Sequence, residues 1–265
     1  MICPVTARTS GPPAPRLASI RSRWLAAATA GLRADPAVLG AALIGSLGTG
    51  RADDWSDIDL LIVVDDASLD EHAAPARLAG VPGTLTFASD ARHNAPRGAR
   101  ASGSQYIIDS LPLWVDRYVY PASWAAWPAD STVLSDRRGI SRLTLTFAQH
   151  MDAVERNQPA PRDPDQRRAL QAALIPIAGK YIARRSPDTP RLIELTGGPR
   201  THGGTWAGHL ATLRQLLNAH AATGAGTPQS IAATHAYLDI VAATLNRLRD
   251  VRDDAVPFTV TARLA

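Results

Sequence analysis

Short apolar runs, each bounded by glycine, proline or charged residues, fill the first half of the chain. LGAALIGS (39–46) predicts a buried strand that ends in a tight glycine turn. DIDLLIVVDD (57–66) predicts a strand that begins polar, alternates and then becomes buried. TLTFAS (84–89) predicts another strand, and QYIIDS and PLWVDRYVYP predict two more, joined by a turn near Ser110–Pro112. These runs together predict a mixed sheet.

The segments around these strands have different patterns. GPPAP (11–15) predicts a loose tail through Pro15, followed by a surface helix from about Arg16 to Leu32. Residues 67–78 predict a short helix. The stretch 91–104 is rich in glycine, arginine, serine and alanine, and it predicts a long flexible loop.

Helical periodicity replaces strand patterns after Pro128. Residues 141–156 predict a helix, and 166–185 predict a second one, kinked at Pro176. Two further apolar stripes predict helices around 206–217 and 231–248. The face predicted to be apolar on the second helix comprises Leu170, Leu174, Ile177, Tyr181 and Ile182.

The change of pattern predicts an α+β fold in which a mixed sheet with helices is followed by a C-terminal helical bundle. We expect a flexible N-terminal tail over 1–15, a sheet domain over 16–140 and a helical, substrate-binding domain over 141–265. The final FTVTARL (258–264) fits either an edge strand or a tail.

Composition narrows the class of protein. The longest apolar runs fall well short of the roughly 20 residues that a membrane span needs, so we expect no membrane association. The lone Cys3 excludes an internal disulfide and a cysteine-based zinc site, and it fits a reducing, cytoplasmic interior. The net charge of +4 suits an anionic ligand but gives no basic track for nucleic acid, and aromatic residues are only 5%.

The segment between the first two predicted strands carries groups suited to phosphate. Gly45, Gly48 and Gly50 let the backbone approach a ligand closely. Backbone N–H groups in such a turn form an anion-binding nest, to which the hydroxyls of Ser46 and Thr49 could add donors. We therefore predict that Gly45, Ser46 and Thr49 contact a phosphate.

Asp57 and Asp59 begin the next predicted strand. Side chains two residues apart on a strand point to the same face, so the two carboxylates lie side by side. Adjacent carboxylates repel each other unless a cation separates them, and oxygen ligands of this kind select Mg²⁺ or Mn²⁺. A phosphate nest beside them implies a metal–nucleotide site.

The spread GS-x₁₀-D-h-D-h-h-h-h, with h an apolar residue and the core SDIDLLIVV (56–64), resembles the signature of the DNA-polymerase-β-like nucleotidyltransferase superfamily. The chain departs from many small members at Gly48–Gly50, where they have Ala-Arg-Gly. The resemblance implies metal-dependent nucleotidyl transfer from ATP or another nucleoside triphosphate. It also implies a third carboxylate on a later strand, for which we predict Asp116, with Asp109 as the alternative. The metal ligands and catalytic residues would then be Asp57, Asp59 and Asp116.

A nucleotidyltransferase domain followed by helices containing GKYIARR (179–185) resembles the antibiotic nucleotidyltransferases that modify aminoglycosides and lincosamides. In several of these, a lysine on the first long helix of the second domain meets the nucleotide phosphates. Lys180 is the only lysine of the chain and thus the only candidate. A surface lysine with a buried stem is the alternative interpretation. For Arg184 we expect a solvated side chain.

The resemblance favours an enzyme that moves AMP from ATP to a hydroxyl of a small molecule such as an aminoglycoside-type antibiotic, with antibiotic resistance as its role. A protein adenylyltransferase of the antitoxin type is an alternative, although such proteins are usually single short domains. A catalytically idle nucleotide-binding module is another. The sequence leaves open the nucleotide base, the acceptor and whether the chain forms a homodimer.

Overall fold

The computed structural model describes residues 14–74, 78–199 and 204–253 of the 265-residue chain. Its strands are β1 Val38–Leu43, β2 Ile58–Val64, β3 Thr84–Asp90, β4 Arg100–Ile108, β5 Leu111–Pro121 and β6 Thr132–Asp136. Its helices are α1 Ala14–Ala34, α2 Gly45–Gly48, α3 Leu69–Ala73, α4 Phe147–Ala153, α5 Pro164–Ala173, α6 Ile175–Ala183, α7 Thr189–Leu195, α8 Trp206–Ala222 and α9 Pro228–Asp253. Short 3₁₀ turns cover Asp66–Ser68 and Arg92–Asn94.

All six strands of the described residues form one sheet, in the order β3-β4-β5-β2-β1-β6. The central neighbours β2 and β5 are parallel, and the other pairs are antiparallel. Helices then follow the sheet from residue 147 onward. The expected α+β fold, a mixed sheet followed by a helical region, is therefore confirmed, while the boundary near residue 140 remains a prediction.

Both faces of the central strands are buried. Ile58, Leu60 and Ile62 belong to a core that also contains residues of α1, α6, α8 and α9. Leu61 and Val63 belong to a smaller core on the opposite face, with side chains from the 91–101 segment. Because side chains alternate along a strand, residues of odd number on β2 share this second face.

The predicted surface helix near the N-terminus is α1, and its inner side is anchored in the larger core. Trp24 is fully buried and meets Tyr106 of β4 edge-on, with ring centroids 5.3 Å apart. Such an aromatic pair adds roughly 0.5–1.5 kcal/mol beyond the area it buries. The tail predicted before it lies mostly outside the described residues, as does the segment 258–264.

The flexible loop predicted over 91–104 is wrong for its last five residues, because β4 begins at Arg100. The small side chains of this stretch are typical of loops. Here they are small because neighbouring side chains pack closely against the strand. A Cβ atom on Gly103 would lie 2.6 Å from the Trp114 ring. The earlier part is also fixed, since the Asn157 side-chain amide donates to four of its backbone carbonyls.

The helix predicted over 141–156 is confirmed only for its central part, α4. Thr146 starts the helix through a capping box: its hydroxyl accepts from the Gln149 backbone N–H at 3.2 Å, and the Gln149 side chain accepts from the Thr146 N–H at 3.0 Å. Residues 141–145 bond instead to the backbone of 127–129. Those backbone pairs hold the chain extended before the cap.

The helix predicted over 166–185 divides at Leu174 into α5 and α6. Pro176 lies in the first turn of α6, where its missing N–H needs no partner. Ile182 is fully buried as predicted, but the other members of the predicted face are only partly buried. Those members are Leu170, Leu174, Ile177 and Tyr181.

The two last apolar stripes are confirmed as the buried sides of α8 and α9. The buried residues are Leu210, Leu213 and Leu217 on α8, and Tyr237, Ile240, Val241 and Leu245 on α9. The sequence did not predict β6 or α7. No helix within the described ranges combines the length and the apolar character that crossing a bilayer requires.

Candidate active site

Three aspartates meet at one end of the central parallel strands. Asp59 is the second residue of β2, and Asp116 of β5 is its partner in register. Asp57 precedes β2 and lies two residues before Asp59, so their side chains share a face. The structure thus brings together the three predicted carboxylates. The alternative, Asp109, lies in the β4–β5 turn and pairs with Arg23 instead.

Mutual repulsion and burial perturb two of these carboxyls. Burial raises the pKa of Asp59 well above its ordinary value, and the charges of Asp57 and Asp116 raise it further, against a lowering effect of Lys180. Burial and Asp57 raise the pKa of Asp116 to about 7, although a hydrogen bond from Trp114 and the charge of Lys180 oppose the shift. The cluster therefore favours any cation or proton that reaches it.

Lys180 of α6 supplies the nearest positive charge. Its Nζ donates to Oδ2 of Asp57 at 2.6 Å, and only 7% of its side chain is exposed. This burial excludes the alternative of a surface lysine. The structure places Lys180 beside the predicted metal ligands, and its predicted contact with nucleotide phosphates remains a prediction.

The glycine turn follows β1 as the one-turn helix α2. Gly45 has a φ of +62°, and a Cβ at this position would lie 2.4 Å from Oδ2 of Asp59. Glycine therefore lets the turn lie directly against a carboxylate of the site. The Ser46 hydroxyl makes no hydrogen bond within the described residues, whereas the Thr49 hydroxyl donates to the Gly45 carbonyl at 3.0 Å. The predicted phosphate contacts of these residues remain predictions.

Two arginines fix the loop that leads into Asp57, a feature that sequence reasoning missed. Buried Arg21 of α1 donates to the backbone carbonyls of Asp53 at 2.9 Å and Ser56 at 2.8 Å. Arg184, the C-cap residue of α6, binds the Asp53 carboxylate through two nitrogens and the Ser56 hydroxyl through one of them. Arg184 is exposed, as expected, but the sequence did not predict its ion pair with Asp53.

Trp114 connects Asp116 to the edge of the sheet. Its indole N–H donates to the Asp116 carboxylate, and its ring covers Gly103 on the neighbouring strand. The ring also stacks on Phe87 of β3, with centroids 6.2 Å apart. No pattern in the sequence pointed to a contact between this tryptophan and the carboxylate.

The donor set matches a hard divalent cation, because three carboxylates offer only oxygen ligands and their repulsion would be relieved by a cation. In the described part of the chain, however, no group of three or more His, Cys, Asp or Glu side chains is arranged to hold a metal ion. Asp57 binds Lys180 instead. The chemistry of the three carboxylates therefore fits a divalent cation, and Lys180 contacts one of them, Asp57.

Comparison with known proteins found one matching family and similar solved structures. Residues 30–87 match the nucleotidyltransferase domain family, and the match includes Gly45, Asp57 and Asp59 but not Asp116 or Lys180. No curated protein sequence matches the chain significantly. Among solved structures, the chain is similar to a STING-associated CdnE c-di-GMP synthase from Capnocytophaga granulosa, with 12% identity and a TM-score of 0.31. That similarity covers 89% of this chain and 83% of the other. Residues 30–87 are thus similar to the nucleotidyltransferase domain family, and this segment contains the glycine turn and two of the three carboxylates.

Proposed function

We propose that the protein transfers a nucleoside monophosphate, AMP from ATP in the first instance, to a hydroxyl group of a small molecule in a metal-dependent reaction that releases pyrophosphate. One observation carries the proposal. Asp59 and Asp116 are paired in register on parallel strands, with Asp57 at the same end and a glycine turn packed against Asp59. In this proposal, the three carboxylates would be the cation ligands and the glycine turn would bind phosphate, as such a transfer needs.

Asp57, Asp59 and Asp116 would hold Mg²⁺ or Mn²⁺ in this proposal. When bound, the ion would supply charge neutralisation for the triphosphate and lower the pKa of the acceptor hydroxyl. Ser46 and the backbone N–H groups at the start of α2, which have no partner within that helix, would bind phosphate oxygens. Lys180 would add one compact positive charge against the triphosphate.

The chemistry assigned to the chain is an in-line displacement. The acceptor oxygen forms a bond to the α-phosphorus, the bond from that phosphorus to the bridging oxygen breaks, and pyrophosphate carries the bridging oxygen away. The proton of the acceptor hydroxyl passes to Asp116.

We propose that the acceptor binds in a pocket at the sheet edge. Its volume is about 550 Å³, within the ~300–1,000 Å³ of typical small-molecule sites. Phe87 lines it and stacks on Trp114, the residue bonded to Asp116. The other described lining residues are Thr86, Ala88, Ser89, Asp90, Ala160, Pro161, Arg162, Gln166 and Ala169.

The charges in this pocket bear on the kind of acceptor. Asp90 carries its one carboxylate among the described lining residues, and Arg92 binds that carboxylate. Arg162 adds a positive charge beside it. A polycationic aminoglycoside would find little compensation there, and the comparisons give that acceptor no support. We therefore propose an uncharged or anionic hydroxylated acceptor and assign no role in antibiotic resistance.

Ligand-dependent thermal unfolding tests the proposal. With Mg²⁺ and a non-hydrolysable ATP analogue at about 100 times its Kd, the wild type should gain roughly 2.7 kcal/mol, or on the order of 5–10 °C in Tm. Asp57→Asn and Asp59→Asn should fold normally and lose both the shift and pyrophosphate release. Asp65→Asn, a matched change beyond the far end of β2, should keep both. A Tm shift or a release rate that survives in the first two variants would contradict the assignment.

A further inference from the structure

Lys180 is held in place more tightly than a flexible surface lysine. It lies in the last turn of α6, and the preceding Gly179 lets that helix approach α9 closely, since a Cβ there would lie 3.1 Å from Leu238. Arg184, one turn later, ties the same helix to Asp53. The ammonium group is thus fixed on Asp57 by the packing of the helical region against the loop.

A buried ammonium group needs an anionic partner, and a buried carboxylate cluster needs a cation. Lys180 and Asp57 satisfy both needs at 2.6 Å, without any ion from solution. Lys180 also opposes the raised pKa values of Asp59 and Asp116. One side chain thereby acts as counter-ion to three carboxyls.

We propose that Lys180 is an internal counter-ion that competes with a divalent cation for Asp57, so that the cation binds together with the nucleoside triphosphate rather than alone. The inference rests on the proposed function in taking Asp57, Asp59 and Asp116 as the metal ligands. A metal ion on Asp57 meets the repulsion of an ammonium group a few ångströms away. The triphosphate brings negative charge that offers Lys180 another partner and frees Asp57 for the ion.

A titration with Mn²⁺ alone tests this competition without measuring activity. Electron paramagnetic resonance detects the binding, because the signal of the free ion is lost when Mn²⁺ binds. Lys180→Met removes the charge and keeps an apolar stem of similar length, and Lys180→Gln provides a polar replacement should the first variant fold poorly. Both should bind Mn²⁺ at least about tenfold more tightly than the wild type, because the removed charge lay beside a ligand. The wild type should reach comparable Mn²⁺ affinity only with a non-hydrolysable ATP analogue present.

Arg214→Gln is the matched control. It removes one positive charge from a more exposed ion pair, the one that Arg214 of α8 forms with Asp239 of α9 at 2.6 Å. Its Mn²⁺ affinity should equal that of the wild type, which separates competition at Asp57 from a general effect of net charge.

The outcomes separate the inference from the function on which it rests. The competition would be overturned if the wild type and both Lys180 variants bound Mn²⁺ alone with equal affinity. If the ATP analogue still tightened that binding, the proposed metal site would be retained. Absence of Mn²⁺ binding in every protein, even with the analogue, would overturn the metal site and the inference together.

Discussion

Replacing Gly45 with alanine would place a methyl group 2.4 Å from Oδ2 of Asp59 and in a backbone conformation with φ of +62°. Ordinary contact between such atoms needs about 3.4 Å or more, so one partner must move by roughly 1 Å. The nearest atom ends a short side chain, and we expect the carboxylate to move rather than the backbone. The site would therefore lose the position of one ligand while the sheet keeps its structure.

Gly139 offers a matched control for the backbone cost. Its φ is +67°, and a Cβ there would meet nothing within 4 Å. The left-handed conformation costs an L residue about 1–2 kcal/mol, which is the whole expected effect of Gly139→Ala. Gly45→Ala should cost about 1–3 kcal/mol, because displacing Asp59 adds to the same backbone cost. Each kcal/mol corresponds to roughly 2–4 °C in Tm for a chain of this size.

Activity should separate the two variants far more than stability does. A misplacement of about 1 Å in a reacting site costs on the order of 100-fold in rate. Gly45→Ala should lose about that much in pyrophosphate release, while Gly139→Ala keeps the wild-type rate at temperatures below its Tm. Wild-type activity in Gly45→Ala, or an equal loss in both variants, would refute the argument that glycine is needed there to accommodate Asp59.

Two further predictions concern ion pairs. The His72–Asp35 contact at 3.0 Å raises the pKa of His72 despite the opposing effect of burial, and lowers the pKa of Asp35. The pair therefore contributes its full stabilisation of the folded protein between about pH 4 and pH 6.5. This contribution is lost as the pH rises through the raised pKa of His72, and also as the pH falls through the lowered pKa of Asp35. Urea unfolding at pH 5.5 and 8.5 should show this difference in the wild type and less of it in His72→Gln, and an equal pH dependence in both would contradict it. Arg184→Gln should slow pyrophosphate release by about tenfold, because the loop bearing Asp53 loses its clamp, whereas Arg191→Gln on α7 should leave the rate unchanged.

Local chemistry made the first part of the site predictable from the sequence. Strand alternation placed Asp57 and Asp59 on one face, and the apolar run after them identified a buried strand. Asp116 was predicted through a resemblance, and only the register of the parallel pair explains why that aspartate meets Asp59. The small residues near Gly103 misled the prediction, because close packing under a tryptophan and flexibility in a loop select the same residue types.

Long-range partners were beyond sequence reasoning. Lys180 and Asp57 are 123 residues apart, and Arg184 and Asp53 are 131 apart. No local pattern fixes which arginine of an arginine-rich chain reaches which aspartate. Burial determines these pairings. Arg21 and Lys180 are buried by the packing of the helices, and buried polar groups need hydrogen-bond partners.

The position of α6 gives a physical reason for the helical region to follow the sheet. Three carboxylates at one strand end repel one another, and the loop before Asp57 carries a further acid, Asp53. A single helix brings two cations, one turn apart, to these two places: Lys180 to the carboxylate cluster and Arg184 to the loop. We therefore expect a ligand that separates Lys180 from Asp57 to act also on the helix that ends beside Arg184, and through Arg184 on the loop that carries Asp53.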